Sequence, residues 1–364
     1  MKTASSNKRP PLSRAAKIRL AGAATALTVL ALAAVAELEL RRRHQDISHI
    51  TGVLPWRTAE WEGLTYYWDV FHPIYGWSNL PGYRSDGRVP FKVTVNQQGL
   101  RAKRDHSPHP AAGVRRIAVF GDSCVFGEEV DDDQTLPVHL ERSLGNVEAL
   151  NFGVRGFGLG QMILRLEEEV AQFDPQQVLL VILIPSDITR DFTDFFTHAK
   201  PSFRFADGRL NIDNLPVREF AQQPWLLRHS YAAAWIWGRP KRWPDQMDLD
   251  EAMMTPNALL SRAATFCQAR DIRLTLATIV TPGAIELMEA DPTEAARNGL
   301  MVDALRQSGI ELIDLTGILQ TAFREQGERL AVPIAHWSDE GNRVITEALA
   351  ERLGEPEGAP RSVQ

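Results

Sequence analysis

Hydrophobic residues follow different patterns along the chain. From Leu20 to Ala36 the apolar run is unbroken, with no charge and no polar face. At about 1.5 Å per residue it spans roughly 25 Å as a helix, a little short of a bilayer's hydrocarbon core. Beyond residue 115, short apolar blocks alternate with segments of helical period. Ile117–Phe120, Val147–Asn151, Gln177–Ile184, Ile272–Thr281 and Ile310–Asp314 read as strands. The first and third are so continuously apolar that they predict parallel strands covered on both faces. Thr135–Leu144, Gln161–Phe173, Ala252–Ala269 and a segment at about 293–308 read as the helices between them. Further helices follow residue 314 and close the chain. Period-two alternation predicts a strand at Phe91–Val95 and a hairpin at Phe203–Ile212 around Asp207-Gly208. This βαβ order predicts an α/β fold with a parallel sheet and right-handed crossovers.

Charge gives the first apolar run a direction. Lys2, Lys8, Arg9, Arg14, Lys17 and Arg19 precede it with no acid among them. The positive-inside rule then leaves residues 1–19 in the cytoplasm and carries the rest outside. Two readings compete, an uncleaved signal anchor over 20–38 and a signal peptide cut after Ala34-Val35-Ala36. The helical register continuing through Glu37-Leu38-Glu39-Leu40-Arg41 favours the anchor. Over the whole chain, 44% of the 364 residues are hydrophobic, enough for a sizeable core, and the net charge is −6. That balance argues against a nucleic-acid partner. Cys124 and Cys267 make neither a disulfide framework nor a metal site. The acidic turn Glu128–Asp133 has adjacent carboxylates and no nearby histidine, so it reads as a solvated face. No cofactor or metal is expected.

The chemistry centres on Arg116-Ile117-Ala118-Val119-Phe120-Gly121-Asp122-Ser123-Cys124. Gly121 and Asp122 turn the chain at the end of a strand. Ser123 then stands where open α/β sheets place their ligands, with backbone N–H groups aimed outward. Cys124 beside it reads as a small packing residue. The stretch resembles block I (G-D-S) of the SGNH/GDSL hydrolases, a family of serine esterases and acyl transferases. That resemblance implies a flavodoxin-like three-layer sandwich, with Ser123 as nucleophile and as one oxyanion-hole N–H.

Other blocks extend the resemblance over roughly residues 90–350. Asn151-Phe152-Gly153-Val154-Arg155-Gly156 is similar to block II, which makes Gly156 the second oxyanion donor. Block III of the family reads G-x-N-D, whereas this chain has Ile184-Pro185-Ser186-Asp187. Ser186 stands at the asparagine position, and its shorter hydroxyl can donate one hydrogen bond. His336 in Ala335-His336-Trp337-Ser338-Asp339 matches the catalytic histidine of block V. The aspartate usual two or three residues earlier is absent, since Ile334 and Pro333 occupy those positions. A backbone carbonyl, Asp314 or Asp339 are the substitutes considered for holding the imidazole. Asp187 and Trp337 are the candidates for contacting substrate.

The expected organisation is a basic tail (1–19), the anchor (20–38), an aromatic-rich juxtamembrane segment (39–90), the α/β domain (91–352) and a disordered tail (353–364). A cap inserted at about 197–250, rich in Trp and Arg, faces the membrane or packs on the domain. His106 and His109, in a polar linker over 102–115, are expected in solvent. The arrangement looks like the membrane-anchored bacterial branch of the family. It implies a single-pass inner-membrane esterase or O-acyltransferase with a periplasmic catalytic domain, acting on an acylated glycan or lipid. The alternative is an inactive member serving as a binding or assembly component of envelope polysaccharide biosynthesis.

Overall fold

The computed structural model describes residues 13–43, 60–61, 64–65, 68–194, 196, 198–218, 222, 224–237, 249–332 and 336–354. Residues 1–12 of the basic tail and residues 355–364 of the expected disordered tail lie outside these. So do Trp243 and its basic neighbours Lys241 and Arg242. The chain divides into two compact units, one of residues 1–52 with 223–239 and one of 53–222 with 240–364.

In the first unit, α1 (Arg14–Arg43) is a single helix with no buried residue. It is long and apolar enough to cross a membrane. Two short helices, α6 (Trp225–His229) and α7 (Tyr231–Trp237), meet its carboxyl-terminal end. Glu37 accepts from the Ser230 hydroxyl at 2.9 Å and from the backbone N–H groups of Tyr231 (3.0 Å) and Ala232 (2.8 Å). Its carboxylate thus satisfies donors that the start of α7 leaves free. Arg41 donates to the His229 carbonyl and lies over the Tyr231 ring. Trp225, Leu226, Trp235 and Ile236 keep large exposed fractions.

The second unit is built on a five-stranded parallel sheet. Its strands are β3 (Arg115–Phe120), β4 (Val147–Asn151), β5 (Gln177–Leu183), β8 (Arg273–Ile279) and β9 (Glu311–Asp314), in the spatial order β9-β8-β5-β3-β4. Numbered by their order in the chain, that is 2-1-3-4-5, the flavodoxin-like winding expected from the sequence. Right-handed crossovers put α3 (Leu136–Leu144), α11 (Thr316–Gln326) and α12 (Asp339–Leu353) on one face. They put α4 (Leu159–Glu169), α8 (Leu249–Gln268) and α10 (Pro292–Arg306) on the other. β5 is buried at every position, because it is central and covered on both sides. Its apolar side chains join one core cluster that includes residues of both helical layers.

Several expectations change here. Phe91–Val95 forms only isolated bridges, Arg84 with Thr94 and Val95 with Arg101, rather than a strand. Its apolar side chains instead fill a second small core with Trp68 and Phe126. The aromatic stretch, which reads equally as a membrane-interface segment or as cover for the α/β domain, contributes in part to the second unit. Trp68, Tyr75 and Trp77 are fully buried, the last two on or beside the hairpin of β1 (Asp69–His72) and β2 (Gly76–Asn79). The 197–250 cap is not one body. Its hairpin, β6 (Ser202–Ala206) and β7 (Arg209–Asp213), packs on α8, while Trp225–Trp237 belongs with α1. His106 is buried rather than solvated and pairs with Glu148 at 2.7 Å, beside Arg116. A helix the apolar pattern did not announce, α9 (Pro282–Ala290), follows β8 and is capped by Thr281.

Candidate active site

The topological switch point of a 2-1-3-4-5 sheet lies between its first and third strands, where ligands collect at the carboxyl ends. Those strands are β3 and β5, and they are adjacent. β3 ends at Phe120, and Gly121 lets the chain turn: a Cβ there would lie 2.3 Å from the Val125 side chain. Asp122 then caps the short helix α2 (Ser123–Phe126) by accepting from the Cys124 N–H at 2.9 Å. Ser123 opens this helix and is 6% exposed. Cys124 is a buried free thiol, and burial raises its pKa well above the usual value, as suits a packing residue.

His336 reaches Ser123 from the far end of the chain. Its Nε2 lies 2.8 Å from Ser123 Oγ. Flanking residues hold it: Val332 N–H donates to the His336 carbonyl, and Ala331 bridges Trp337. Trp337 fastens this segment to the sheet, donating its indole N–H to the Val280 carbonyl just past β8. This corrects the expectation that Trp337 contacts substrate. The side chain is 2% exposed and packs on Phe323, so it positions the histidine loop instead.

A carboxylate for His336 comes instead from the loop that follows Ser123. Glu129 Oε2 stands 2.6 Å from His336 Nδ1. Neither Asp314 nor Asp339 takes that place. Asp314 accepts from Thr278, and Asp339 pairs with His139. The Glu128–Asp133 turn is therefore not a solvated face. Glu128 and Glu129 flank the imidazole, with Glu128 Oε2 3.9 Å from Nε2. Asp131 and Asp132 accept the backbone N–H groups of Lys92 and Thr94. Gly127 turns left-handed at φ 82° and Glu129 follows at φ 69°. For a residue with a side chain that conformation costs roughly 1–2 kcal/mol, strain of a kind that gathers at functional sites. Burial disfavours charge on His336, but the Glu129 hydrogen bond and the charges of Glu128 and Asp122 outweigh it, and its pKa is raised.

The expected oxyanion donors sit on three loops at the ends of neighbouring strands. Gly156 turns at φ 68°, and a Cβ there would meet the Phe196 ring at 2.5 Å. Asn151 holds this loop to the helix that Ser123 opens, donating to the Val125 carbonyl and accepting from Gly153 N–H. Trp77 donates its indole N–H to the Arg155 carbonyl from the other side. Ser186 begins α5 (Ser186–Arg190) past β5. Among the described residues, none accepts from the N–H of Ser123, the N–H of Gly156 or the hydroxyl of Ser186.

Asp187 does not face substrate as expected. It is fully buried, accepts the Leu183 N–H at 2.7 Å and binds Arg190. Burial and the neighbouring Asp122 charge push its pKa well up, against the pull of Arg190. Arg190 was not singled out in the sequence. Its guanidinium binds Asp122 and Asp187 together and lies over the Phe196 ring. No group of metal-ligating side chains occurs among the described residues.

Among solved structures, the chain is similar to a member of the lipolytic G-D-S-L family from Veillonella parvula. That protein is 14% identical, with 67% of this chain and 100% of the other covered at a TM-score of 0.41. The acetyl xylan esterase AlAXEase is 15% identical over 65% of this chain and 99% of the other, at a TM-score of 0.40. LAE5, an alpha/beta hydrolase from the metagenome of Lake Arreo, is 15% identical over 66% and 95%, at 0.42. No protein-family model matches the chain, and no curated protein matches it. The reading of the site rests on its own geometry.

Proposed function

We propose that the protein is a serine esterase or O-acyltransferase that cleaves an O-acyl ester on a glycan or lipid. The observation that carries this reading is the continuous relay Ser123 Oγ, His336 Nε2, His336 Nδ1, Glu129 Oε2, with steps of 2.8 and 2.6 Å. His336 Nε2 takes the Ser123 proton as Oγ attacks the ester carbonyl. Glu129 holds the Nδ1–H tautomer and stabilises the imidazolium. The N–H groups of Ser123 and Gly156 and the Ser186 hydroxyl, all lacking acceptors among the described residues, receive the tetrahedral oxyanion. His336 returns the proton to the leaving alcohol, which leaves an acyl-serine. Water or a sugar hydroxyl, deprotonated by His336, then takes the acyl group. The inactive binding-component alternative is motivated by the departures in blocks III and V; Glu129 beside His336 bears on the second of these.

The same reading places the enzyme on a bacterial inner membrane, anchored by α1, with the catalytic domain outside. Two features support it. The basic residues precede the apolar run, and α6–α7, carrying exposed Trp225, Trp235 and Ile236, are tied to the end of α1 through Glu37. Aromatic residues there suit a membrane interface.

The test is fluorophosphonate labelling of the full chain in detergent, beside Ser123→Ala and His336→Ala. Labelling of the parent that both substitutions abolish is expected. A folded, monodisperse parent that does not label would overturn the enzyme reading. For topology, a reporter fused after Asn342 should be active only outside the cytoplasm.

A further inference from the structure

The residue opposite the histidine relay has a connection that touches all three candidate oxyanion loops. Arg190 Nη1 donates to Asp122 Oδ2 at 2.9 Å, to the Phe157 carbonyl at 3.0 Å and to Asp187 Oδ1 at 2.7 Å. Asp122 precedes Ser123, Phe157 follows Gly156 and Asp187 follows Ser186. One nitrogen is thus bonded to the immediate neighbour of each candidate donor. These loops follow three different strands, β3, β4 and β5, and their backbones share few hydrogen bonds, Val154 N–H to the Gly121 carbonyl among them. Ser123 Oγ also lies 3.4 Å from Asp122 Oδ2, the oxygen that Arg190 holds.

We infer that Arg190 is the positioning residue of the oxyanion hole, and that it offsets the loss of the block III asparagine. This rests on the esterase reading above. A side-chain amide at position 186 would donate to the oxyanion directly. Ser186 has a shorter reach, so its hydroxyl must be set more tightly against Ser123 and Gly156. Arg190 supplies that setting. A guanidinium keeps its charge at any working pH and has fixed donor directions, which suits joining a carbonyl and two carboxylates in one arrangement. Asp122 and Asp187 are both buried, so without a cation between them they repel. Among the described residues, Nε and Nη2 have no hydrogen-bond partner, and the side chain is 15% exposed. Arg190 therefore also leaves positive charge beside the place where negative charge develops.

The experiment compares the full-chain parent, Ser123→Ala, Arg190→Lys and Arg190→Ala. Fluorophosphonate labelling rates and kinetics on p-nitrophenyl acetate are measured, with thermal melting as a check on folding. Both Arg190 variants should lose about 10²–10³-fold in labelling rate and kcat, the usual effect of a lost oxyanion donor. KM should stay within about threefold, and in Arg190→Lys, which keeps the charge beside Asp122, the acid limb of the pH profile should not move. Added ethylguanidinium should restore part of the Arg190→Ala rate. A folded Arg190→Lys protein that reacts within threefold of the parent overturns the inference, as does a loss confined to KM or a shifted acid limb in that variant. If Arg190→Ala does not fold, Arg190→Lys decides alone. An inert parent would instead remove the esterase reading and this inference with it.

Discussion

Ser123 lies between two clusters of like composition and different use. On one side a histidine stands between Glu129 and Glu128. On the other an arginine stands between Asp122 and Asp187. Each is a basic side chain flanked by two carboxylates in a largely buried site. The histidine can shed its proton near neutral pH, so its cluster can move charge. The arginine cannot, so its cluster can only hold shape and field. Nearby carboxylates thus raise the basicity of one group and fix the geometry of the other. The difference lies in the basic side chain they surround.

The largest break in this comparison comes from the groups that exchange the proton. Ser123→Ala or His336→Ala should each remove on the order of 10⁶-fold from kcat, as the matching changes do in subtilisin. Steady-state rates on a chromogenic ester would show it, and a variant within a hundredfold of the parent would mean another nucleophile or base. Glu129→Gln comes next, at roughly 10⁴-fold, because the amide keeps a hydrogen bond but not the charge that stabilises imidazolium. If that variant lost no more than Arg190→Lys, the two clusters would not be distinct in role.

The pH profile sharpens the contrast. Activity requires neutral His336, whose pKa is raised, so the rate should climb with pH through a midpoint above the ordinary value of about 6.5. Glu128→Gln removes one of the raising charges. Its acid limb should move to lower pH while the plateau rate stays within about tenfold, and an unmoved limb would show that Glu128 is electrostatically idle. The same shift has a stability consequence. The fold favours charged His336, so this contribution is fully present below the unfolded pKa and is lost as pH rises through the folded one. The smallest effect is expected from Asp339→Ala. Its partner His139 touches neither cluster, and Asp339 is half exposed, so melting should report no more than about 1 kcal/mol and kcat should not change.

The sequence revealed the sheet and two of the three relay residues because both are local signals. Strands β3, β4 and β5 follow from runs of apolar residues, and Ser123 and His336 from short motifs beside predicted turns. Glu129 is not legible because the Glu128–Asp133 run reads as a solvated turn and lies 207 residues before His336, whereas a relay needs proximity only in space. A run of acids reads as surface, yet this one is flanked by Val125, Phe126 and Val130, all buried. Gly127, left-handed beside that apolar context, was the available hint. Arg190 and Asp187 sit at a strand end, where charged side chains usually face solvent, and nothing in their spacing reports that Asp122 closes over them. Trp337 misled for the opposite reason: its place beside the histidine suggested contact with substrate, while its indole N–H is spent on Val280.

The separation of the relay along the chain bears on how the protein is made. Ser123 and Glu129 fall within one short loop, but His336 lies 213 residues after the nucleophile and 207 after the acid. During vectorial synthesis the nucleophile's loop can form long before the base exists. Under the proposed mechanism the serine has no proton acceptor until then, and a nascent or truncated chain is chemically silent. The segment that brings the base then closes the domain: Asn342 donates to the Gln134 carbonyl, and α12 packs along α3. Reactivity therefore arrives with the final helix, after the rest of the sheet has been made.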